Sequence, residues 1–82
     1  MGQKDLPLAS GERHARAFER CGWTRVRETS GRNPHIILEK PGVTATLSIP
    51  NHKGKDVKRA LLQKQIQRAG LTEQQYLDCF RG

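Results

Sequence analysis

The segment GRNPHIILEKPGVTATLSIPNHKGK, residues 31–55, decides the fold. It contains a first apolar run, HIILEK, and a second run, VTATLSI, in which apolar residues alternate with threonine and serine. Alternation with a period of two is typical of a strand with one buried face, and Pro41-Gly42 between the runs is typical of a turn. The segment therefore predicts a β-hairpin whose second strand ends at Pro50.

The two apolar faces restrict the register of this hairpin. Ile36 and Leu38 meet the apolar face of the second run only if the hairpin loop has an even number of residues. A loop of two residues pairs Leu38 with Ala45, and a loop of four pairs it with Leu47. In either register His35 projects from the opposite face. Helices packed on the Ile36 face would therefore leave His35 open to solvent and to a ligand.

Helical patterns lie on both sides of the predicted hairpin. Before it, Ser10 can cap a helix that stops at Gly22, and WTRVRE (residues 23–28) predicts a first strand with Val26 pointing inward. After it, a helical stripe from about residue 56 to residue 69 predicts a second helix.

A last short helix is predicted after Gly70, because Thr72 and Gln75 have the spacing of a capping box. The order predicts an α+β domain of type α-β-β-β-α, with a three-stranded antiparallel sheet, helices on one face and a short C-terminal helix. Residues 1–7 are expected to be a flexible N-terminus, and residues 8–82 a single domain.

Composition limits the size and the partners of the protein. The chain has 82 residues, 34% of them hydrophobic, and a formal net charge of +7, which allows one small domain with a thin core. Such a charge favours nucleic acid or an acidic protein as partner. No apolar run is long enough for a signal peptide or a membrane span. Cys21 and Cys79 lie far apart without metal-ligand spacing, so we expect two separate, buried apolar residues in a reducing, cytoplasmic compartment.

His35 is the candidate catalytic residue, because it stands where a loop becomes a strand and imidazole can act as base or acid near neutral pH. An incidental surface histidine is the alternative interpretation. His52 has the same alternative, and His14 is expected on a solvated helix face. No metal or other cofactor is expected, since no adequate set of ligands accompanies His35 and His52. The sequence contains no Walker-type phosphate loop, and nothing supports a serine or cysteine nucleophile.

A basic cluster follows the hairpin, in the loop that leads into the second predicted helix. Lysine and arginine side chains there, together with the helix N-terminus, can bind phosphates. A merely solvated charged face is the alternative. Trp23 is the only aromatic residue in the predicted strands, so we do not expect a sheet that stacks RNA bases. We expect instead that RNA is recognised by its shape and by contacts to its phosphates. The cluster consists of Lys53, Lys55, Lys58 and Arg59.

Several segments together resemble the HicA family of toxin ribonucleases from bacterial toxin–antitoxin modules. The resemblance covers residues 6–80 and rests on SGERHARAFERCGW, on His35 opening HIILEKPG, and on IPNHKGKDVKRALLQKQIQRAGLTEQQY. It implies a fold like that of double-stranded-RNA-binding domains and a metal-independent endoribonuclease that cleaves mRNA, with His35 as catalytic residue. It also implies a HicB-type antitoxin as partner. The residues expected to bind RNA are His52, Lys53, Lys55, Lys58 and Arg59.

The chain departs from the family pattern at three places. Asn33-Pro34 replaces a glycine followed by serine or glycine before the histidine, in a longer loop. Residues 60–63 read Ala-Leu-Leu-Gln where the family has Gly-Thr-Leu-Arg, and Gln65 replaces an aliphatic residue. Two other functions fit the same sequence: a non-catalytic RNA-binding module of this fold, and a basic protein-interaction domain.

Overall fold

A computed structural model describes residues 6–82 of the chain. Three strands form one antiparallel sheet in the order β1-β2-β3, so the predicted α+β fold is confirmed and is consistent with a double-stranded-RNA-binding-domain-like architecture. Of the expected flexible segment 1–7, residues 1–5 lie outside the described part, and Leu6 is buried in the core. The elements are α1 (Gly11–Arg20), β1 (Thr24–Glu28), β2 (His35–Glu39), β3 (Leu47–Pro50), α2 (Arg59–Arg68) and α3 (Glu73–Arg81).

The β2–β3 hairpin has one of the two predicted registers. Leu38 pairs with Leu47 and Ile36 with Ile49, which is the register of the four-residue loop. The second strand is shorter than the alternation predicts, because it begins only at Leu47. The Val43 N–H donates to the Lys40 carbonyl at 3.0 Å, so this backbone closes a turn instead of extending the ladder.

The core lies between the sheet and the helices. Ile36, Leu38, Leu47 and Ile49 form the buried face of the hairpin, and α1 packs across all three strands. α2 packs on β3, and α3 packs on α1 and α2. The helices thus cover one face of the sheet and leave the His35 face open, as predicted from the alternation.

β1 contains an irregularity that corrects the expected direction of Val26. The register shifts between Arg25 and Arg27, and Val26 is 47% exposed. Such a bulge reverses the alternation of side chains. Arg25 therefore takes the inward position, where its guanidinium donates two hydrogen bonds to Glu12 at 2.8 and 2.9 Å. These hydrogen bonds hold the pKa of the Glu12 carboxyl below its ordinary value.

His14 is buried, which corrects its expected place on a solvated helix face. α3 covers this side of α1, and the Nδ1 atom of His14 lies 2.5 Å from the Tyr76 hydroxyl. Burial lowers the pKa of His14 to about 4 and raises the pKa of the Tyr76 hydroxyl. The sequence of α1 alone does not reveal this burial, because the covering helix is about 60 residues away in the chain.

Cys21 and Cys79 form a disulfide, which corrects the expectation of two separate cysteines. Cys21 is the C-cap of α1 and Cys79 lies in α3, and the packing of these helices brings their Cα atoms to 5.8 Å. Within residues 6–82, no helix is long and apolar enough to cross a membrane.

Candidate active site

His35 is the first residue of β2 and lies half-buried on the open face of the sheet, opposite Pro50 of β3. Thr29 holds its backbone from both sides. The His35 N–H donates to the Thr29 hydroxyl at 2.9 Å, and the Thr29 N–H donates to the His35 carbonyl at 2.9 Å. The position of the histidine is therefore fixed by the residue that directly follows β1.

The imidazole of His35 is oriented by the loop before it. Its Nδ1 atom lies 2.7 Å from the Asn33 carbonyl oxygen. A carbonyl can only accept a hydrogen bond, so Nδ1 must carry the proton. In the neutral ring Nε2 then has a free lone pair and can accept a proton. The Asn33-Pro34 segment, where the chain departs from the family pattern, thus supplies the atom that sets the tautomer.

The same loop is joined to the segment that follows β3. The Asn51 N–H donates to the Pro34 carbonyl at 2.9 Å, directly after the His35–Pro50 pair. The next residues form a turn in which the Lys55 N–H donates to the His52 carbonyl at 3.0 Å. Gly54 takes a positive φ of 77° in this turn, a conformation that favours glycine. The segment that joins β3 to α2, residues 51–58 and called the basic loop below, therefore begins beside the histidine.

The predicted RNA-binding cations differ in how freely they face solvent. Lys53, Lys55 and Lys58 are exposed, and His52 is half-buried. Arg59 is also half-buried, and its Nε donates to the Leu6 carbonyl at 2.8 Å. The three lysines therefore lie at the surface, and two of them, Lys55 and Lys58, line one groove with Pro50. Arg59 instead partly serves to hold the N-terminal segment.

α2 begins three residues later than the sequence pattern suggests. Asp56 forms an isolated β-bridge with Ser10, and the Val57 N–H donates to the Ala9 carbonyl at 2.8 Å. These backbone contacts are incompatible with a helix at residues 56 and 57, so α2 starts at Arg59. Its N-cap residue, Lys58, makes no side-chain cap hydrogen bond. The first turn of α2 has no acidic residue, and the helix begins with the cationic pair Lys58-Arg59.

A groove lies between the basic loop and the start of α2. It has a volume of about 350 Å³. The sequence pattern did not reveal it, because that pattern began α2 at about residue 56, whereas residues 56–58 precede the helix and line the groove. The lining residues are Pro50, His52, Lys55, Asp56, Val57, Lys58 and Leu61.

Two glutamines that replace family residues in α2 have structural roles. The Gln63 side-chain amide donates to Glu73 at 2.9 Å and so connects α2 to the start of α3. Gln65 is buried, and its side-chain oxygen accepts the Ser48 N–H at 3.2 Å. It thereby satisfies a donor on the outer edge of β3, which an aliphatic side chain would leave unpaired.

No group of three or more histidine, cysteine, aspartate or glutamate residues in the described part of the chain is arranged to hold a metal ion.

One family model matches this chain. Its description is "HicA toxin of bacterial toxin-antitoxin", and the match extends over residues 11–71, well over half of the 82 residues. Comparisons with curated proteins and with solved structures give no match. The matched region contains the sheet, the histidine and the basic loop, whereas α3 and Cys79 follow it.

Proposed function

This chain belongs to the HicA toxin family of bacterial toxin–antitoxin modules, and from that premise we propose that it is an endoribonuclease that cleaves mRNA without a metal ion. The family is one of toxins that are generally ribonucleases, with RNA as substrate and an antitoxin as partner. The observation that supports His35 as the catalytic residue is its hydrogen bond to Asn33, which leaves Nε2 as the proton-accepting atom on the open face.

The proposed reaction is a transesterification within the RNA strand. Nε2 of His35 removes the proton of a ribose 2′-hydroxyl, and the 2′-oxygen attacks the adjacent phosphorus. The bond from phosphorus to the 5′-oxygen of the next nucleotide breaks, and that oxygen leaves with a proton from solvent. The products are a 2′,3′-cyclic phosphate and a 5′-hydroxyl.

The basic loop binds the substrate and stabilises the charge that develops on phosphorus. Lys55 and Lys58 line one groove with Pro50, the residue paired with His35, and Lys53 is exposed in the same loop. Phosphates bound by these lysines would therefore lie near the imidazole. Cations placed at developing charge lower the barrier of phosphoryl transfer. His52 and Arg59 complete the proposed RNA-binding set.

A HicB-type antitoxin is the proposed inhibitory partner, and its binding would cover the open face of the sheet. We place the toxin in the cytoplasm, because its proposed substrate is there. The cytosol keeps most thiols reduced, so the Cys21–Cys79 bond would be largely open in that compartment.

Induced expression tests the catalytic assignment. We expect wild-type protein to arrest growth and degrade mRNA, and His35→Ala at equal protein level to do neither. Glu39→Ala is the matched control, because Glu39 is exposed on the same strand and the same face. Equal toxicity of wild type and His35→Ala would show that His35 is not the catalyst. Harmless expression of all three, with RNA still bound, would favour the non-catalytic RNA-binding module.

The purified protein tests the chemistry. Cleavage should persist in excess EDTA, and His35→Ala should lower the single-turnover rate by about 10²-fold or more while RNA binding is kept. A substrate with a 2′-deoxyribose at the cleaved position should be bound and not cut. Cutting of this substrate, or rescue of an EDTA-inactivated protein by a divalent ion, would mean a different reaction class.

A further inference from the structure

The groove between the basic loop and α2 adjoins the strand residue that pairs with the proposed catalytic residue. Pro50 forms one wall of the groove and is also the residue paired with His35 across the hairpin. Paired residues of antiparallel strands have their Cα atoms about 4.5–5.5 Å apart. A nucleotide whose phosphate lies at His35 can therefore place its neighbour's base in the groove.

The walls of the groove are apolar and its rim is cationic. Pro50 and Leu61 are partly exposed and provide surface against which a flat ring can pack, over the buried Val57. Lys55 and Lys58 stand at the rim and are exposed. An apolar surface bordered by cations fits a nucleotide, whose base is flat and whose phosphate is negative. The volume, about 350 Å³, lies at the small end of the range for ligand pockets and suits one nucleotide.

Asp56 gives the groove a means of distinguishing bases. It is the one carboxylate among the lining residues of the described chain, and its side chain is exposed. No ion pair to Asp56 is formed over residues 6–82. A carboxylate only accepts hydrogen bonds, so it pairs best with an exocyclic amino group, which guanine, adenine and cytosine have and uracil lacks. The single donor of uracil, N3–H, lies between two carbonyl oxygens that a carboxylate repels.

We propose that this groove is a base-binding subsite for the nucleotide next to the scissile phosphate, and that it prefers guanine, adenine or cytosine to uracil. The inference rests on the proposed function for the position of the RNA. It adds a determinant of sequence preference that the basic loop, which contacts phosphates, does not supply.

Binding and cleavage are measured separately, so that failure of the subsite differs from failure of the nuclease. Binding uses His35→Ala protein and short single-stranded RNAs that carry each of the four bases at one position, with affinity read by fluorescence anisotropy. Cleavage uses wild-type protein and RNAs with a single cut site, varied at the two nucleotides that flank it. Absence of cleavage would contradict the proposed nuclease, and the binding measurements would still decide the subsite.

Two variants test the groove itself. Leu61→Ala removes part of the apolar wall and should weaken RNA binding about fivefold to tenfold, in proportion to the lost contact area. Leu71→Ala is the matched control, because Leu71 is another leucine partly buried against the core and does not line the groove. Circular dichroism of both variants verifies that the fold is kept. Equal loss of affinity in the two variants, or none in either, would overturn the proposal.

Asp56→Asn tests the base preference. At one flanking position, wild-type protein should discriminate against uracil by about tenfold, the lower end of the effect of a well-placed base contact. In Asp56→Asn the amide can also donate to uracil carbonyls, so the discrimination should fall below about threefold. A wild-type protein that treats all four bases alike, or a variant that keeps the full preference, would show that the groove does not read the base.

Discussion

Acidification should destabilise this protein through one buried histidine, His14. The imidazole is fully buried, and its Nδ1 atom lies 2.5 Å from the Tyr76 hydroxyl. Its Nε2 atom has no hydrogen-bond partner among the described residues. A protonated ring at this place would carry a charge without solvent and with one N–H unpaired, and burial lowers the pKa of His14 to about 4.

The size and sign of the effect follow from this pKa. An imidazole in the unfolded chain has a pKa of about 6.5, so between pH 6.5 and pH 4 the unfolded state binds more protons than the folded state. The stabilisation is complete above pH 6.5 and is lost as the pH falls. The total is about 3 kcal/mol, of which about 2 kcal/mol is lost by pH 5. This is a large share of the 5–15 kcal/mol that is typical of a domain.

Urea unfolding between pH 7.5 and pH 5 measures the effect. His14→Gln should show a much flatter dependence on pH in this window, because glutamine can still contact Tyr76 and does not titrate. His52→Gln removes a histidine from the basic loop and should keep the wild-type slope. This pH window excludes most of the contribution of Glu12. Its lowered pKa stabilises the folded protein, and that stabilisation is lost only as the pH falls below about 4.5. Parallel slopes for wild type and His14→Gln would refute the argument.

Three further predictions concern stability and RNA binding. Cys79→Ser should lower the free energy of unfolding by about 4 kcal/mol in oxidised samples, because the disulfide closes a segment of 58 residues, and urea unfolding measures this. Gly11→Ala should lower the melting temperature, because a Cβ atom at this position would collide with the Pro50 carbonyl. Lys55→Ala and Lys58→Ala should each reduce the slope of log K against log salt by about 0.7 in filter binding.

Each of these predictions has a control in the chain. Dithiothreitol should destabilise wild type and leave Cys79→Ser unchanged, and equal effects on both would contradict the disulfide. Gly31→Ala compares with Gly11→Ala, since no atom lies near a Cβ built at Gly31, although its positive φ carries its own cost. For the salt slope, Lys64→Ala on the exposed side of α2 should behave as wild type, and an unchanged slope in both loop variants would place the RNA elsewhere.

The parts of the fold that follow local patterns could be predicted from the sequence. The alternation in VTATLSI, matched to Ile36 and Leu38, left two hairpin registers open. The structure has the one in which Leu38 pairs with Leu47. The Ser10 cap and the Thr72–Gln75 capping box also appear as predicted, because a cap depends on residues three positions apart. The same pattern placed His35 on the open face.

Most of the errors involve contacts between distant parts of the chain. His14 was expected in solvent and the two cysteines were expected apart, because the pattern of α1 does not show which side α3 will cover. Val26 was assigned inward because a bulge has no periodic signal, and the inward Arg25 depends on Glu12 of another element. β1 reads TRVRE with a single apolar residue, so its sequence did not mark which face would be buried.

The disulfide is at the C-terminal end of α1, whereas the N-terminal end of α1 contacts the residue paired with the proposed catalytic His35. We therefore expect stability and activity to be separable. Gly11 at the helix start packs against Pro50, the pairing partner of His35, whereas Cys21 caps the other end, ten residues or about 15 Å away. Opening the bond removes a constraint on α3, yet α3 still packs on α1 through Tyr76. Reduction should therefore lower the free energy of unfolding without moving the groups around His35. The proposed nuclease activity should therefore persist under reducing conditions as long as the core alone keeps the chain folded.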